Sequence, residues 1–191
     1  MISYGGVNLW KLEQPDLADH YRWANDDTLR RLAGWPPGPR SQAELVAWFN
    51  TVISDPAQEV FSLKSFSAEH LGWVHFSEVD LVNGTASVGI ALDPRFWGKG
   101  FAHDGLAAAL KFAFEDLRLH RLEAEIIAIN LPSIKLFTRL GFVKEGVKRE
   151  SYFTRGRHLD VLSFGLLASE YVNPTPVTAE PETPEPEGAD G

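Results

Sequence analysis

Residues 85–117 read TASVGIALDPRFWGKGFAHDGLAAALKFAFEDL, and the fold turns on how they are divided. TASVGIAL alternates like a half-buried strand. From Ala102 onward, Leu106, Leu110, Ala113 and Leu117 recur every three to four positions, the stripe of an amphipathic helix. Between them DPRFWGKGFA (93–102) carries two glycines and two cations, and no serine or threonine caps the helix that follows. An uncapped helix start leaves backbone N–H groups free and bears partial positive charge, so an anion is favoured there. Gly98 and Gly100 let an anion approach the backbone closely. Arg95 and Lys99 add cationic donors, and a guanidinium suits bidentate phosphate contact. The turn reads as a pyrophosphate seat, with a plain connector as the alternative.

Two common phosphate motifs do not fit. A P-loop needs G-x-x-x-x-G-K-[ST], whereas Lys99 lies between two glycines; a dinucleotide fingerprint needs a third glycine at position 103, which is His103. What stands is R-x-x-G-x-G, Arg95 to Gly100.

Upstream, VNLWKLE (7–13) predicts a first strand and residues 14–34 a helix ending at Gly34. GWPPGPR (34–40) is a stiff loop bearing Trp35. Ser41 and Glu44 form a capping-box pattern for a second helix that ends before Pro56. EVFSLKSF and LGWVHFSEVDL are strand-like, and Asn83-Gly84 predicts a two-residue hairpin into TASVGIAL. Downstream, RLEAEIIAI (121–129) is β-rich, so the strand–helix–strand unit is a crossover between parallel strands. PSIKLFTRL is a short helix stopped by Gly141, and FVKEGV and HLDVLSFGLL supply two last strands. The order β-α-α-β-β-β-α-β-α-β-β describes one α/β domain with a mixed sheet.

Of the 191 residues 44% are hydrophobic and none is cysteine, so disulfides, thiolate catalysis and cysteine-type zinc sites are excluded. The six histidines show no H-x-x-x-H spacing, and no metal is expected. The formal net charge is −8. Residues 174–191, PTPVTAEPETPEPEGADG, hold five acids and no base, which leaves 18 bases against 21 acids in residues 1–173. A near-neutral body argues against a nucleic-acid partner, and the proline-rich acidic tail (174–191) is expected to be disordered beside a folded domain at 1–173. No apolar run is long enough for a membrane helix, and the start lacks a secretory pattern. A cytoplasmic protein, monomer or homodimer, is expected.

The stretch VGIALDPRFWGKGFA, followed by LHRLEAEIIAINLPSIKLFTRLGFVKEGVKRE and GRHLDVLSFGLLASEY, resembles the GNAT N-acetyltransferase superfamily, whose loop pattern is [QR]-x-x-G-x-[GA]. More narrowly it looks like the RimJ/RimL branch, the ribosomal-protein N-acetyltransferases and their relatives, over about residues 7–172. The resemblance implies a GNAT-like α/β (α+β) fold. Its mixed, mostly antiparallel sheet of about six to seven strands would be flanked by helices and splayed between two central parallel strands.

It also implies acetyl-CoA as co-substrate and a primary amine as acceptor, on a protein N-terminus or a small molecule. Transfer would be direct attack in a ternary complex. The pantetheine arm would run along Ile90, Ala91 and Leu92, and the pyrophosphate would lie on Arg95, Phe96, Trp97, Gly98, Lys99, Gly100, Phe101 and Ala102. Asn130 and Ser133 match the family's N-x-x-S, with Asn130 as a plain helix cap the alternative. Where many relatives carry a tyrosine, this chain has Phe137, which cannot donate a proton to the leaving thiolate. Glu125 is the first candidate for the base, half-buried in that role, with a solvated strand-surface residue as the alternative and Glu78 and Tyr152 as further candidates; Ser133 would lie near the sulfur. Trp35, Glu78 and Tyr152 are candidates for the acceptor site, and His75 reads as a core-facing strand residue more than a proton acceptor. A non-catalytic acyl-CoA-binding module and a dinucleotide-binding oxidoreductase are the competing readings.

Overall fold

The computed structural model describes residues 1–178. Eight strands form one sheet: β1 (Ile2–Tyr4), β2 (Val7–Lys11), β3 (Glu59–Ser65), β4 (His70–Asp80), β5 (Thr85–Leu92), β6 (Arg121–Ile127), β7 (Val143–Thr154) and β8 (Arg157–Leu167), in spatial order β1-β2-β3-β4-β5-β6-β8-β7. Every neighbouring pair is antiparallel except β5 with β6. The single parallel pair is the crossover read from the sequence, and a doubly wound dinucleotide fold is thereby excluded. The strand beyond the expected six to seven is β1, three residues that fold back through Gly5-Gly6 and are too short to show a period.

Five helices cover the two faces. α1 (Leu17–Ala24), α2 (Asp27–Ala33) and α3 (Gln42–Ser54) lie on one; α4 (Phe101–Lys111) and α5 (Leu131–Arg139) lie on the other. The predicted long helix at 14–34 is two helices, because the Asp26 carboxylate accepts from the Leu29 N–H at 2.8 Å and starts a new one. The Ser41/Glu44 capping box is present in both directions. The predicted two-residue hairpin at Asn83-Gly84 is a four-residue connection. Asp80 accepts from the Val82 and Asn83 amides at 2.9 Å, and β4 bulges at Glu78, whose φ is +53°.

Strand periodicity divides β4 between the two faces. Val74 and Phe76 join the core beneath α4, with Leu106, Leu110 and Ala113, all fully buried. Trp73 joins Trp23, Leu29 and Val52 beneath α1–α3. Gly72 sits where β4 and β5 press closest: a Cβ there would come 2.1 Å from the Ala91 carbonyl oxygen. Gly72→Ala should therefore wedge the two strands apart and destabilise by about 1–3 kcal/mol, seen as a lower urea midpoint; an unchanged midpoint would show that the sheet yields there freely.

The expected disordered tail at 174–191 falls mostly on residues 179–191, outside the described residues. Pro174–Thr178 return to the body. The Val177 and Thr178 amides each donate to the Asp104 carboxylate at 2.8 Å, and the Tyr4 hydroxyl donates to the Pro174 carbonyl.

Candidate active site

β5 and β6 pair only through Thr85–Arg121, Ala86–Leu122 and Ser87–Glu123. Beyond Ser87, β5 stays on β4 and β6 stays on β8, so the two parallel strands part. A cavity of about 160 Å³ fills the wedge. Gly89, Ile90 and Ala91 form one wall and Glu125, Ile126 and Ile127 the other, with Asn130, Ser133 and Phe137 of α5 closing the end. Leu92 is buried and does not line it. The backbone edge of β5 beyond Ser87 has no strand opposite it, so its polar groups are free for an extended ligand.

At the mouth, α4 begins as the sequence predicts, without a side-chain cap. Gly100 is the N-cap at φ +89°, and Gly98 stands at φ +74°. Both conformations are left-handed and suit glycine. The His103 and Asp104 amides turn back to the Gly100 carbonyl at 2.9 and 3.2 Å. The Phe101 and Ala102 amides have no carbonyl partner among the described residues, as expected of a helix start. A Cβ on Gly98 would meet nothing within 4 Å, whereas one on Gly100 would come 3.0 Å from Val177. The loop is thus open at Gly98 and covered on one side of Gly100. This cradle fits a pyrophosphate.

The loop's aromatic and cationic residues are divided in their work. Arg95 is 59% exposed yet engaged: its Nε and Nη2 donate to the buried Asp93 carboxylate at 3.1 and 3.0 Å. Phe96 is buried against Phe101, and Trp97 donates from Nε1 to the Leu92 carbonyl at 2.9 Å. Lys99 stands exposed, its ammonium 5.3 Å from the Phe96 ring. Arg95 and Trp97 therefore brace the loop, while the Phe101 and Ala102 amides have no carbonyl partner among the described residues and Lys99 is exposed beside them.

Asn130 is the helix cap of the alternative reading and stands at the wedge as well. Its Oδ1 accepts from the Ser133 amide at 3.2 Å and its Nδ2 donates to the Leu32 carbonyl at 3.1 Å, so it caps α5 while lining the wedge. Phe137 is buried against Phe142. Glu125 lines the wedge with its side chain 52% exposed and ion-paired with Lys148, the arrangement of a solvated strand-surface residue. The end of α2 reaches that face of β6 only at Ile127, and β7 brings Lys148 to Glu125.

A second cavity, about 420 Å³, opens beneath α1–α3. Its lining includes His20, Arg30, Trp35, Arg40, Glu44, Trp48, Trp73 and His75, and it shares Trp35, Trp73 and His75 with the wedge. Trp35 stacks on Trp73, their centroids 5.2 Å apart, so it is both core plug and cavity wall. Glu78 and Tyr152 line neither cavity. Glu78 sits exposed on the β4 bulge, and Tyr152 is half-buried near Gly34. Buried among aromatic rings, His20 is pushed down to about 3, mainly by desolvation and then by His70, so it is neutral.

His75, read from the sequence as a core residue, borders both cavities. Trp48, Trp73, Arg30 and Arg40 carry no local sequence signal for a site. The alternation of LGWVHF does place Trp73 and His75 on one face, but nothing local tells that face from a closed core.

Comparison with known proteins agrees with this geometry. The sequence pattern of the acetyltransferase (GNAT) domain matches residues 7–143. The chain is 33% identical to the uncharacterized N-acetyltransferase p20 of Bacillus licheniformis, covering 84% of this chain and 91% of that protein. It is 30% identical to the spermidine N(1)-acetyltransferase of Vibrio cholerae, over 87% and 96% of the two chains. The crystal structure of spermidine N-acetyltransferase from Vibrio cholerae with CoA and spermine superposes with a TM-score of 0.83 at 29% identity, covering 87% of this chain and 98% of that one. The open β5–β6 wedge, the uncapped glycine loop at its mouth and these likenesses together make the chain a member of the GNAT acetyltransferase family, an N-acetyltransferase that uses acetyl-CoA as its co-substrate.

Proposed function

We propose that the chain acetylates a primary amine carried on a compact, mainly apolar body, a small molecule in preference to a polyamine or a protein N-terminus. One observation carries the reading: the aromatic cavity and the cofactor wedge share Trp35, Trp73 and His75, so an amine seated in the first faces a thioester held in the second. Acetyl-CoA supplies an activated acyl group. The chain's own residues align the two partners along β5, exclude water with Trp35 and Trp73, and hold the pyrophosphate at Gly98–Ala102.

Charge supports the choice of acceptor. Among the cavity's lining side chains Arg30 and Arg40 are cations and Glu44 is the one carboxylate, bonded to Arg40 at 3.1 Å. A polycation such as the spermidine named for the Vibrio enzyme would need several carboxylates facing it. A monoamine with an aromatic or aliphatic body instead gains contact with Trp35, Trp48 and Trp73. The resemblance to the RimJ/RimL branch keeps a protein N-terminus as the second reading.

Calorimetry with acetyl-CoA, followed by thiol release against arylalkylamines, spermidine and N-terminal peptides, tests the proposal. Binding with the highest kcat/KM for a monoamine is expected. A preference for spermidine or a peptide would overturn the acceptor class, and binding with no amine-dependent release would favour the acyl-CoA-binding module instead. Trp48→Ala, which touches only the aromatic cavity, should raise the acceptor KM about tenfold, the worth of one aromatic contact, with acetyl-CoA affinity unchanged. A weakened cofactor affinity in that variant would mean the two cavities are not separate subsites.

A further inference from the structure

Asp55, Gln58 and His75 form a hydrogen-bonded chain that ends at the place where the two cavities meet. The Gln58 side chain donates from Nε2 to Asp55 Oδ2 at 2.9 Å, and its Oε1 lies 2.9 Å from His75 Nε2. A carboxylate can only accept, so the Asp55 contact fixes which end of the Gln58 amide is NH₂ and which is oxygen. The oxygen therefore faces His75, and an amide oxygen also only accepts. His75 Nε2 must carry the hydrogen. In the neutral ring Nδ1 is then left with its lone pair.

The surroundings leave room for that lone pair to work. His75 stands opposite Gly89 in the β4–β5 register, and a Cβ at Gly89 would meet nothing within 4 Å. It is half-buried and lines both the aromatic cavity and the wedge. Glu125, the first candidate for the base, is held instead by Lys148.

We infer that His75 is the general base of the acetyl transfer, with Gln58 and Asp55 as the positioning residues that fix its tautomer; this rests on the acetyltransferase reading of the same site. His75 Nδ1 takes one proton from the acceptor ammonium, and the imidazolium keeps its Nε2–H on the Gln58 oxygen. The freed amine lone pair forms the N–C bond while the C–S bond breaks, its electron pair leaving on sulfur. The second amine proton passes to the thiolate, giving amide and free thiol, and His75 returns its proton to water. Burial holds the His75 ring below the ordinary histidine value, so the base is neutral and ready at neutral pH. The other titratable side chains lining the two cavities are His20, Arg30, Arg40, Glu44 and Glu125.

The test is the pH dependence of kcat at saturating acetyl-CoA and amine. The wild type should lose activity on the acid side with a midpoint below about 6.5, the ordinary histidine value. His75→Gln should lower kcat about 100-fold or more, the usual worth of a general base, flatten that acid limb and change acetyl-CoA affinity by calorimetry far less than kcat. Gln58→Leu should lower kcat several-fold and move the limb further down, because the imidazolium loses its acceptor; a merely structural Gln58 would move stability and leave the limb in place. Retention of kcat within a factor of about three with the limb intact in His75→Gln would overturn the assignment. Should His75→Gln fail to fold, an unmoved limb in Gln58→Leu would overturn it in its place. Absence of turnover in the wild type would instead count against the acetyltransferase reading, so the two failures are distinct.

Discussion

Asp93→Ala should destabilise the fold by about 1–3 kcal/mol, the cost of leaving a buried hydrogen-bond donor without its partner. Asp93 is 1% exposed and closes β5, at the point where the chain leaves the sheet for the glycine loop. Its carboxylate accepts from the Arg95 amide at 2.9 Å, the Arg95 guanidinium, the Trp23 Nε1 at 2.8 Å and Arg22. Alanine leaves the buried Trp23 N–H unpaired and the Arg95 guanidinium without its carboxylate, while Arg22 keeps its ion pair with Asp19. Because Arg95 and Trp23 come from the loop and from α1, the loss reaches both the cofactor loop and the α1 wall of the acceptor side. Urea unfolding measures it; a loss under 1 kcal/mol would show that solvent enters and replaces these bonds.

The same carboxylate gives the stability its acid dependence. Burial alone would raise its pKa, but the donors from Arg95, Trp23 and Arg22 outweigh burial and hold it well below the usual carboxylate range. In the unfolded chain an aspartate binds its proton near about 3.9. The contribution is thus complete above that value and is lost as pH falls from there towards the folded value. Asp16 and Asp104 are also depressed, against the push of burial, by their hydrogen bonds from Ser62 and Thr178 among others, and act in the same direction. Asp93→Asn should make the fall in urea midpoint between about pH 4 and 2.5 shallower. An equal slope in the two proteins would remove Asp93 from that role.

The parts of this fold that can be read from the sequence are those encoded locally. A strand of period two, an uncapped helix of period 3.6 and two glycines between them fix the β5–α4 unit, because each feature depends on a few consecutive backbones. The capping box at Ser41 and the stop at Gly141 are local in the same way. The break at Asn25-Asp26 was legible too, as a cap signal, but the apolar spacing of Leu17, Tyr21, Ala24 and Leu29 runs through it. The site divides along the same line. Backbone donors of the loop follow from its glycines, whereas the exposure of Glu125 depends on which helix covers β6 and on Lys148, 23 positions away. The place of His75 depends on β5 leaving β6 after Ser87, and no residue in LGWVHF encodes that. Arg95 shows the limit most sharply: its type fits a phosphate ligand, but Asp93, two positions before it, engages the exposed guanidinium.

Gly98→Val should weaken acetyl-CoA binding at least about 100-fold, near 2.7 kcal/mol, while the protein stays folded. The φ of +74° is hostile to a β-branched side chain, at roughly 1–2 kcal/mol. The space beyond Gly98 is open, so the folded state tolerates the added atoms. That open space is where an anion would have to approach the loop amides, and the new methyl groups fill it. Gly100 is the poorer probe, because a Cβ there presses on Val177 and Thr178 and would disturb the chain's return to Asp104 as well. The decisive comparison is between acetyl-CoA and S-acetylpantetheine, which keeps the thioester and arm but lacks the pyrophosphate. If the loop binds the pyrophosphate, the variant's defect should be large for acetyl-CoA and small for the truncated donor. Equal defects for both would mean that valine has distorted the β5–β6 wedge, and no defect for either would place the pyrophosphate elsewhere than on residues 98–102.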